Sequence, residues 1–322
     1  MRNTIYPIER RFRTKQAQLR YNQLAGRHGR FYTDTFFASV PTLNGCKMAQ
    51  IYVNDLNFNK VYTMKTKSET ADTLRTFIHE VGIPHTLHSD DAKELLHGPF
   101  KQLCKEYGIP CTYTEPYSPW QNRAEGGIRE LKRHVHRKMT AKKVPQCLWD
   151  FCCKWSCEVR NKSASNLYQL NGRTPFEAVM GNTPDISSLV PHDFYDYVWY
   201  YDQTAEFPAP KKKVGRWLGE AQSFGQAMCY WVLSENAIPI VRSTVQAIPE
   251  EELKVDHIKE QMRLLDEKIS CKFGEPPSED SIYTYDLDEL EDQPAPDHIT
   301  PEYAPIDPDS KIPDSDQWEP ES

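Results

Sequence analysis

The most regular pattern in the chain is a helical repeat of apolar positions, Ala124, Ile128, Leu131, Val135 and Met139, set among charged and polar residues. This spacing predicts one long amphipathic helix facing a core, with Ser118 as N-cap and Pro119 at its first position. Gly126 and Gly127 weaken it locally, by about 1 kcal/mol each relative to Ala. Upstream, Gly29 to Val40 is dense in aromatic and β-favouring residues, and Pro41 and Asn44-Gly45 then supply a turn, which predicts a strand entering a hairpin. Two further strands are expected over 48–54 and 60–64, making a three-stranded meander. Ser68 is expected to cap a helix reaching Glu80, followed by a strand over 85–89, a helix over 99–107 and a strand over 109–113. From Lys60 onward the order is therefore β-α-β-α-β, which implies parallel strands with helices on their faces.

A helix opened by Pro145 is expected to run to Arg160. After Asn171-Gly172 the pattern changes to short β-favouring runs over 194–201, 214–218, 228–233 and 238–248, consistent with a small β-barrel. From Gly274 the chain holds nine Pro and 16 acidic residues against the single base Lys311, the composition of a disordered linker. The organisation expected is a basic arm (1–28), an α/β core with a mixed sheet flanked by helices (29–190), a small barrel (191–255), and a helical then disordered acidic segment (256–322).

The formal net charge of -7 conceals this division: the acidic segment carries -15, so residues 1–273 carry +8. The first 30 residues alone set Arg2, Arg10, Arg11, Arg13, Lys15, Arg20, Arg27 and Arg30 against Glu9. A solvated charged face is the bland explanation; a polyanionic partner is the sharper one. The nine Cys form no CxxC pair, and Cys152, Cys153 and Cys157 stand at helical spacing beside Trp149 and Phe151, as reduced, packed thiols do. His134 and His136 with a cysteine do not match a structural-zinc spacing. The charged N-terminus is unlike a signal peptide and no apolar run is long enough to span a bilayer, so an intracellular protein without membrane partners is expected.

Three acids stand out. Asp34 interrupts an otherwise apolar and aromatic strand, where an acid is unexpected unless it faces a site. Asp90 follows the strand over 85–89 at its carboxyl end, where open α/β sheets place their ligands, and the adjacent Asp91 competes for that role. Glu125 is expected in the second turn of the long helix, with Arg129 and Lys132 four and seven residues on along the same face, offering one metal ligand and two phosphate contacts. Taken singly, Asp34 is a strand-edge charge, Asp90 a cap and Glu125 a partner for Arg129. Taken together, they suit phosphodiester chemistry, which uses two divalent ions about 3.5–4 Å apart held by carboxylates.

These residues also resemble a family, the integrases of copia-type long-terminal-repeat retrotransposons, relatives of retroviral integrases. The resemblance is carried by Tyr32-Thr33-Asp34-Thr35-Phe36, Leu87-His88-Ser89-Asp90, and Ser118-Pro119-Trp120-Gln121-Asn122 followed by Glu125. Gly172-Arg173-Thr174-Pro175-Phe176-Glu177 is similar to the segment after the family's core, and 211–248 to its small barrel, so the resemblance covers residues 28–250. It implies an RNase H-like core and a polynucleotidyl transferase that processes the 3′ ends of element DNA and transfers them into target DNA. It further implies two Mg2+ or Mn2+ ions on Asp34, Asp90 and Glu125, DNA contacts at Arg129, Lys132, Lys211, Lys212 and Lys213, a homo-oligomer, and action in the nucleus. Three departures accompany it. Asp91-Ala92-Lys93-Glu94 stands where the family has Asn-Gly-Gly-Glu, 34 residues separate Asp90 from Glu125, one fewer than usual, and no His-His-Cys-Cys module precedes the core. The last implies a fragment of a longer polyprotein or divergence there. The alternatives are a plain metal-dependent nuclease, against which the basic arm and barrel argue, and an inactive or domesticated remnant that only binds nucleic acid.

Overall fold

The computed structural model describes residues 29–90, 95, 98–115, 122–208, 210–222, 224 and 228–274. The chain divides into two units, 1–282 and 283–322, and the described residues all lie in the first. The basic arm, Asp91, Ser118, Pro119 and the acidic segment therefore fall outside the described residues.

Aromatic and β-branched residues build the first strands, β1 (Arg30–Phe37), β2 (Met48–Asn54) and β3 (Asn59–Met64), which form the expected antiparallel meander. After α1 (Thr70–Glu80), strand β4 (Thr86–Ser89) returns parallel to β1 rather than to β3, and after α2 (Gly98–Glu106), β5 (Cys111–Tyr113) pairs parallel with β4. The sheet order β3-β2-β1-β4-β5 is thus mixed. Sequence order alone suggested that β3 opened a parallel run; instead the meander's first strand is central, because the crossover through α1 carries the chain past β3 and β2.

Alternation along β1 divides its side chains between two cores. Phe31 packs with Leu74, Phe77, Leu103 and Val179 on one face. Tyr32 and Phe36 pack on the other with Ala124, Leu131 and Val135 of α3 (Arg123–Ala141) and with Leu148, Cys152, Cys153 and Cys157 around α4 (Trp149–Lys162). All nine cysteines are free thiols, and those three of α4 are buried, as the apolar spacing suggested. Short α5 (Pro175–Met180) is fixed by a capping box in which the Glu177 amide donates to Thr174 Oγ1 at 3.1 Å while the Thr174 amide donates to Glu177 Oε2 at 3.0 Å.

Several boundaries differ from the sequence reading. Helix α3 starts at Arg123, not at Ser118, because Asn122 has extended dihedrals and its Oδ1 accepts the Ala124 amide at 3.0 Å. Ser68 does not cap α1: it lies within a 3-10 turn, Lys67–Glu69, and its hydroxyl bonds that of Thr66. The single strand expected over 238–248 is two, β9 (Pro239–Arg242) and β10 (Val245–Ala247). With β6 (Tyr197–Tyr201), β7 (Lys212–Glu220) and β8 (Tyr230–Leu233) they form a five-stranded antiparallel sheet, ordered β10-β6-β7-β8-β9, with β10 and β9 at its edges. Helices α6 (Glu250–Leu253) and α7 (Asp256–Phe273) follow, and Ile258, Leu265 and Ile269 of α7 join the core that contains Tyr32 and Phe36. Among the described residues, no helix is long and apolar enough to cross a membrane.

Two features hold these layers in register. Gly127 lets α3 approach β2 closely, since a Cβ there would lie 2.7 Å from Val53 Cγ2, whereas one at Gly126 would meet nothing. Between the sheets lies a buried charge network: Lys60 of β3 bonds Glu158 of α4 at 2.6 Å, and Lys162 lies 3.6 Å from Glu158 and 3.1 Å from Glu220 of β7. The two lysines hold Glu158 down to about 2 despite its burial.

Two tests follow from this packing. Gly127→Ala should lower unfolding free energy by about 1–3 kcal/mol, because short, branched Val53 cannot swing away, whereas Gly126→Ala should raise it by about 0.5–1 kcal/mol; urea denaturation of both variants checks the contrast. Glu158→Gln should cost about 3–5 kcal/mol by leaving Lys60 under-compensated. Because the Glu158 carboxyl is depressed in the fold, its contribution is complete above the ordinary Glu range and lost as pH falls from near 4.5 toward about 2. Wild-type stability should therefore drop through that window more steeply than that of the variant; parallel slopes would remove Glu158 from this role.

Candidate metal-binding carboxylate site

The pairing of β1 with β4 sets the first two acids side by side. In the parallel register Thr33 lies opposite Ser89, so the next step along both chains puts Asp34 beside Asp90, on neighbours about 4.8 Å apart. Two ladders stiffen this region. The buried Gln50 donates through Nε2 to Thr33 Oγ1 at 2.6 Å and accepts from Thr35 Oγ1 at 2.5 Å, tying β2 to both neighbours of Asp34. The His88 ring contacts the Thr112 and Thr114 hydroxyls at 2.9 and 3.1 Å, tying β4 to β5 and its extension. Burial keeps that imidazole's affinity for a second proton below normal.

The third acid arrives on α3. Asp34 lies opposite Ile51 in the β1–β2 register, and Ile51 and Val53 are the residues that Gly127 meets. Since Asn122 caps α3, Glu125 lies in its first turn, two residues before that contact, and not in the second turn as expected. The close approach at Gly127 thereby delivers Glu125 to the face of β1 that carries Tyr32, Asp34 and Phe36.

The electrostatics show that the three carboxyl groups share one neighbourhood. Asp34 is pushed up to about 7, first by burial and then by the charge of Asp90, with a smaller contribution from Glu125. The Thr35 amide, which donates to Asp34 Oδ1 at 2.6 Å, and the charge of Lys67 act in the opposite direction. Glu125, although an exposed residue, is likewise raised, first by partial desolvation of its carboxyl, with Arg129 opposing and Asp90 adding to the rise. Yet among the described residues no three His, Cys, Asp or Glu side chains are close enough together to hold an ion. The two observations concern different ranges: the charges couple through space, while ligation needs three donors gathered at one point. The donor set fits a hard divalent cation in its chemistry, being all carboxylate oxygen, and positive charge placed there would relieve the repulsion that raises Asp34.

The basic residues singled out in the sequence lie in two places. Arg129 acts on Glu125 by charge, and exposed Lys132 sits 5.9 Å over the Phe36 ring, so both share the carboxylate face of α3. Lys212 and Lys213 open β7 of the second sheet, and Lys211 directly precedes it. Lys211 is exposed, 5.9 Å over Tyr201; Lys212 sits 4.3 Å over Trp199 and 3.7 Å from Glu252; Lys213 bonds Glu235 at 2.6 Å and Asp202 at 2.9 Å. Two carboxylates therefore already compete for Lys213. Lys67, which acts on Asp34, was not singled out by the sequence, because only the fold brings the turn after β3 near the end of β1.

No protein-family model matches the chain, and no characterised protein matches it in sequence. Among solved structures it is similar to the HTLV-2 integrase catalytic core domain in complex with magnesium, in its trimeric form, over 47% of this chain and 96% of that one, at 15% identity and a TM-score of 0.37. It is also similar to the catalytic core domain of BIV integrase, over 48% and 95%, at 19% identity and a TM-score of 0.37. A longer similarity, 77% of this chain and 86% of that one at 15% identity and a TM-score of 0.39, is to the simian T-cell lymphotropic virus intasome in complex with PP2A regulatory subunit B56 gamma.

The raised Asp34 carboxyl makes a prediction independent of any activity. Ionising it in the folded state is unfavourable, so the fold loses stability as pH rises from near 3.8 to about 7. Asp34→Asn should stabilise the protein at pH 8, by about 1–2 kcal/mol after allowing for solvent screening, and leave it unchanged below pH ~4. Thermal melts at both pH values check this; equal melting temperatures at pH 8 would contradict the electrostatic coupling.

Proposed function

We propose that the chain is a polynucleotidyl transferase of the integrase type, related to copia-type retrotransposon integrases, which processes 3′ ends of element DNA and joins them to target DNA. The observation that carries this reading is the placement of Asp34 and Asp90 side by side along neighbouring parallel strands, with Glu125 at the start of the helix packed on them, near enough that the charge of Asp90 raises both other carboxyls. The resemblance of the runs around these residues to the family's motifs supports the same reading. Asp34, Asp90 and Glu125 would hold two Mg2+ or Mn2+ ions. When bound, such ions activate the attacking oxygen and stabilise the leaving oxygen of an in-line displacement.

The chain's own side chains divide the remaining work. Arg129 and Lys132, on the exposed side of α3, hold phosphates of the strand beside the acids. The rigid β1–β2 ladder through Gln50 fixes the direction of Asp34, and the His88 contacts fix the strand end that leads into Asp90. Residues 29–190 carry the chemistry. Residues 191–255, read as a small barrel, and the basic arm carry further DNA contacts, and a homo-oligomer acting in the nucleus engages element ends and target together.

A second reading, a DNA-binding remnant without activity, is favoured by one observation: among the described residues no three such side chains gather closely enough to hold an ion. An assay on duplex oligonucleotides in Mg2+ or Mn2+ separates the two. Wild-type protein should nick and join DNA, and Asp34→Asn, Asp90→Asn and Glu125→Gln should each slow both steps by about a thousandfold while salt-sensitive binding stays within about twofold. Wild-type protein that binds but neither nicks nor joins establishes the remnant reading. Nicking without joining establishes a plain nuclease, and a variant that remains active removes its residue from the set.

A further inference from the structure

We propose that Lys67 and Phe37 form a second strand contact at the end of β1, gripping nucleic acid where it leaves the carboxylates on the side away from α3. The proposal rests on the reading above that these carboxylates act on DNA. Asp34 is on the face of β1 that carries Tyr32 and Phe36, and Phe37, three residues on, is the strand's last residue and alternates to the opposite face. Phe31 and Phe36 of the same strand are buried, whereas Phe37 is 54% exposed.

A single exposed ring is ordinary. This one has a cation over it, with Lys67 Nζ lying 5.7 Å from the ring centroid. Lys67 is exposed and belongs to the 3-10 turn that leads into α1, so it comes from a different element. It is also the cation whose charge acts on the Asp34 carboxyl. An aromatic face with a lysine beside it is the pairing that single strands use, the ring stacking any base and the ammonium meeting a phosphate.

Charge complementarity explains why such a contact belongs here. Before ions bind, three carboxylates repel a phosphate chain, and cations flanking them offset that repulsion. Arg129 and Lys132 provide that flank on α3, and Lys67 provides it at the end of β1. Stacking on Phe37 reads no base identity and requires an unpaired nucleotide, so the contact selects frayed or overhanging ends over closed duplex.

The test is binding by the full chain to two labelled oligonucleotides, a blunt duplex and the same duplex with a short unpaired 3′ end, across a range of salt. Lys67→Ala should weaken both about tenfold at low salt and flatten the dependence of log affinity on log salt by about one unit. Phe37→Ala should weaken the overhanging substrate about tenfold and the blunt one less than about twofold. Arg75→Ala, which removes an exposed cation of α1 paired with Asp72, should change neither. Variants that bind both substrates as wild type does overturn the proposal, and so does an Arg75→Ala effect equal to that of Lys67→Ala. Binding decides the matter even if wild-type protein cuts nothing, an outcome that would count against the catalytic reading and not against this contact.

Discussion

Like charges confined to a partly buried place are the constraint on which this structure turns. The parallel pairing of β1 with β4 forces Asp34 and Asp90 onto adjacent strands, and the approach of α3 at Gly127 adds Glu125. Burial, and then the charges of Asp90 and Glu125, push Asp34 up to about 7, a cost that a sheet built only for stability would avoid by placing a threonine or valine there. The neighbouring ladders, Gln50 with Thr33 and Thr35 and His88 with Thr112 and Thr114, oppose the splaying that such repulsion favours.

The second sheet is not an appendage hung on a linker. Trp199, Leu218 and Leu233 share a core with Tyr32, Phe36 and the buried cysteines of α4, and α7 closes that core through Leu265 and Ile269. Arg216 of β7 is fixed against α7 by contacts to Asp266 at 2.8 and 2.9 Å while its guanidinium lies over Tyr197. The Lys60, Glu158, Lys162 and Glu220 network adds direction to this apolar contact, since each charge must meet its partner and a slipped packing would leave one bare.

Much of the core was legible because its periodicities are strong. The aromatic run around Asp34, the meander and the apolar stripe of α3 each follow from spacing alone, and an acid in an aromatic strand is a local contradiction that points to a site. What failed were boundaries and partners. Ser118-Pro119 has the residue types of a helix start, yet the buried Asn122 four residues after Ser118 is the cap, and this moves Glu125 by a turn. The parallel partner of β4 could not be read from order, because β3 and β1 compete for it and only three-dimensional packing decides. The run over 238–248 reads as one strand because its side chains favour extension throughout; the break at Ser243-Thr244 depends on pairing with different neighbours. Lys213 shows the same limit for charges, since its partners Asp202 and Glu235 lie 11 and 22 residues away in the chain. Nothing in the sequence linked Lys67 to Asp34.

The most direct measurement of the central claim is Mn2+ titration of the purified protein, followed by the electron paramagnetic resonance of the free ion. Two Mn2+ ions per chain should bind saturably, with binding lost in Glu125→Gln and Asp34→Asn and retained in Arg75→Ala. Binding that is absent in wild-type protein, or that survives unchanged when Asp34 and Glu125 are replaced, would contradict the claim.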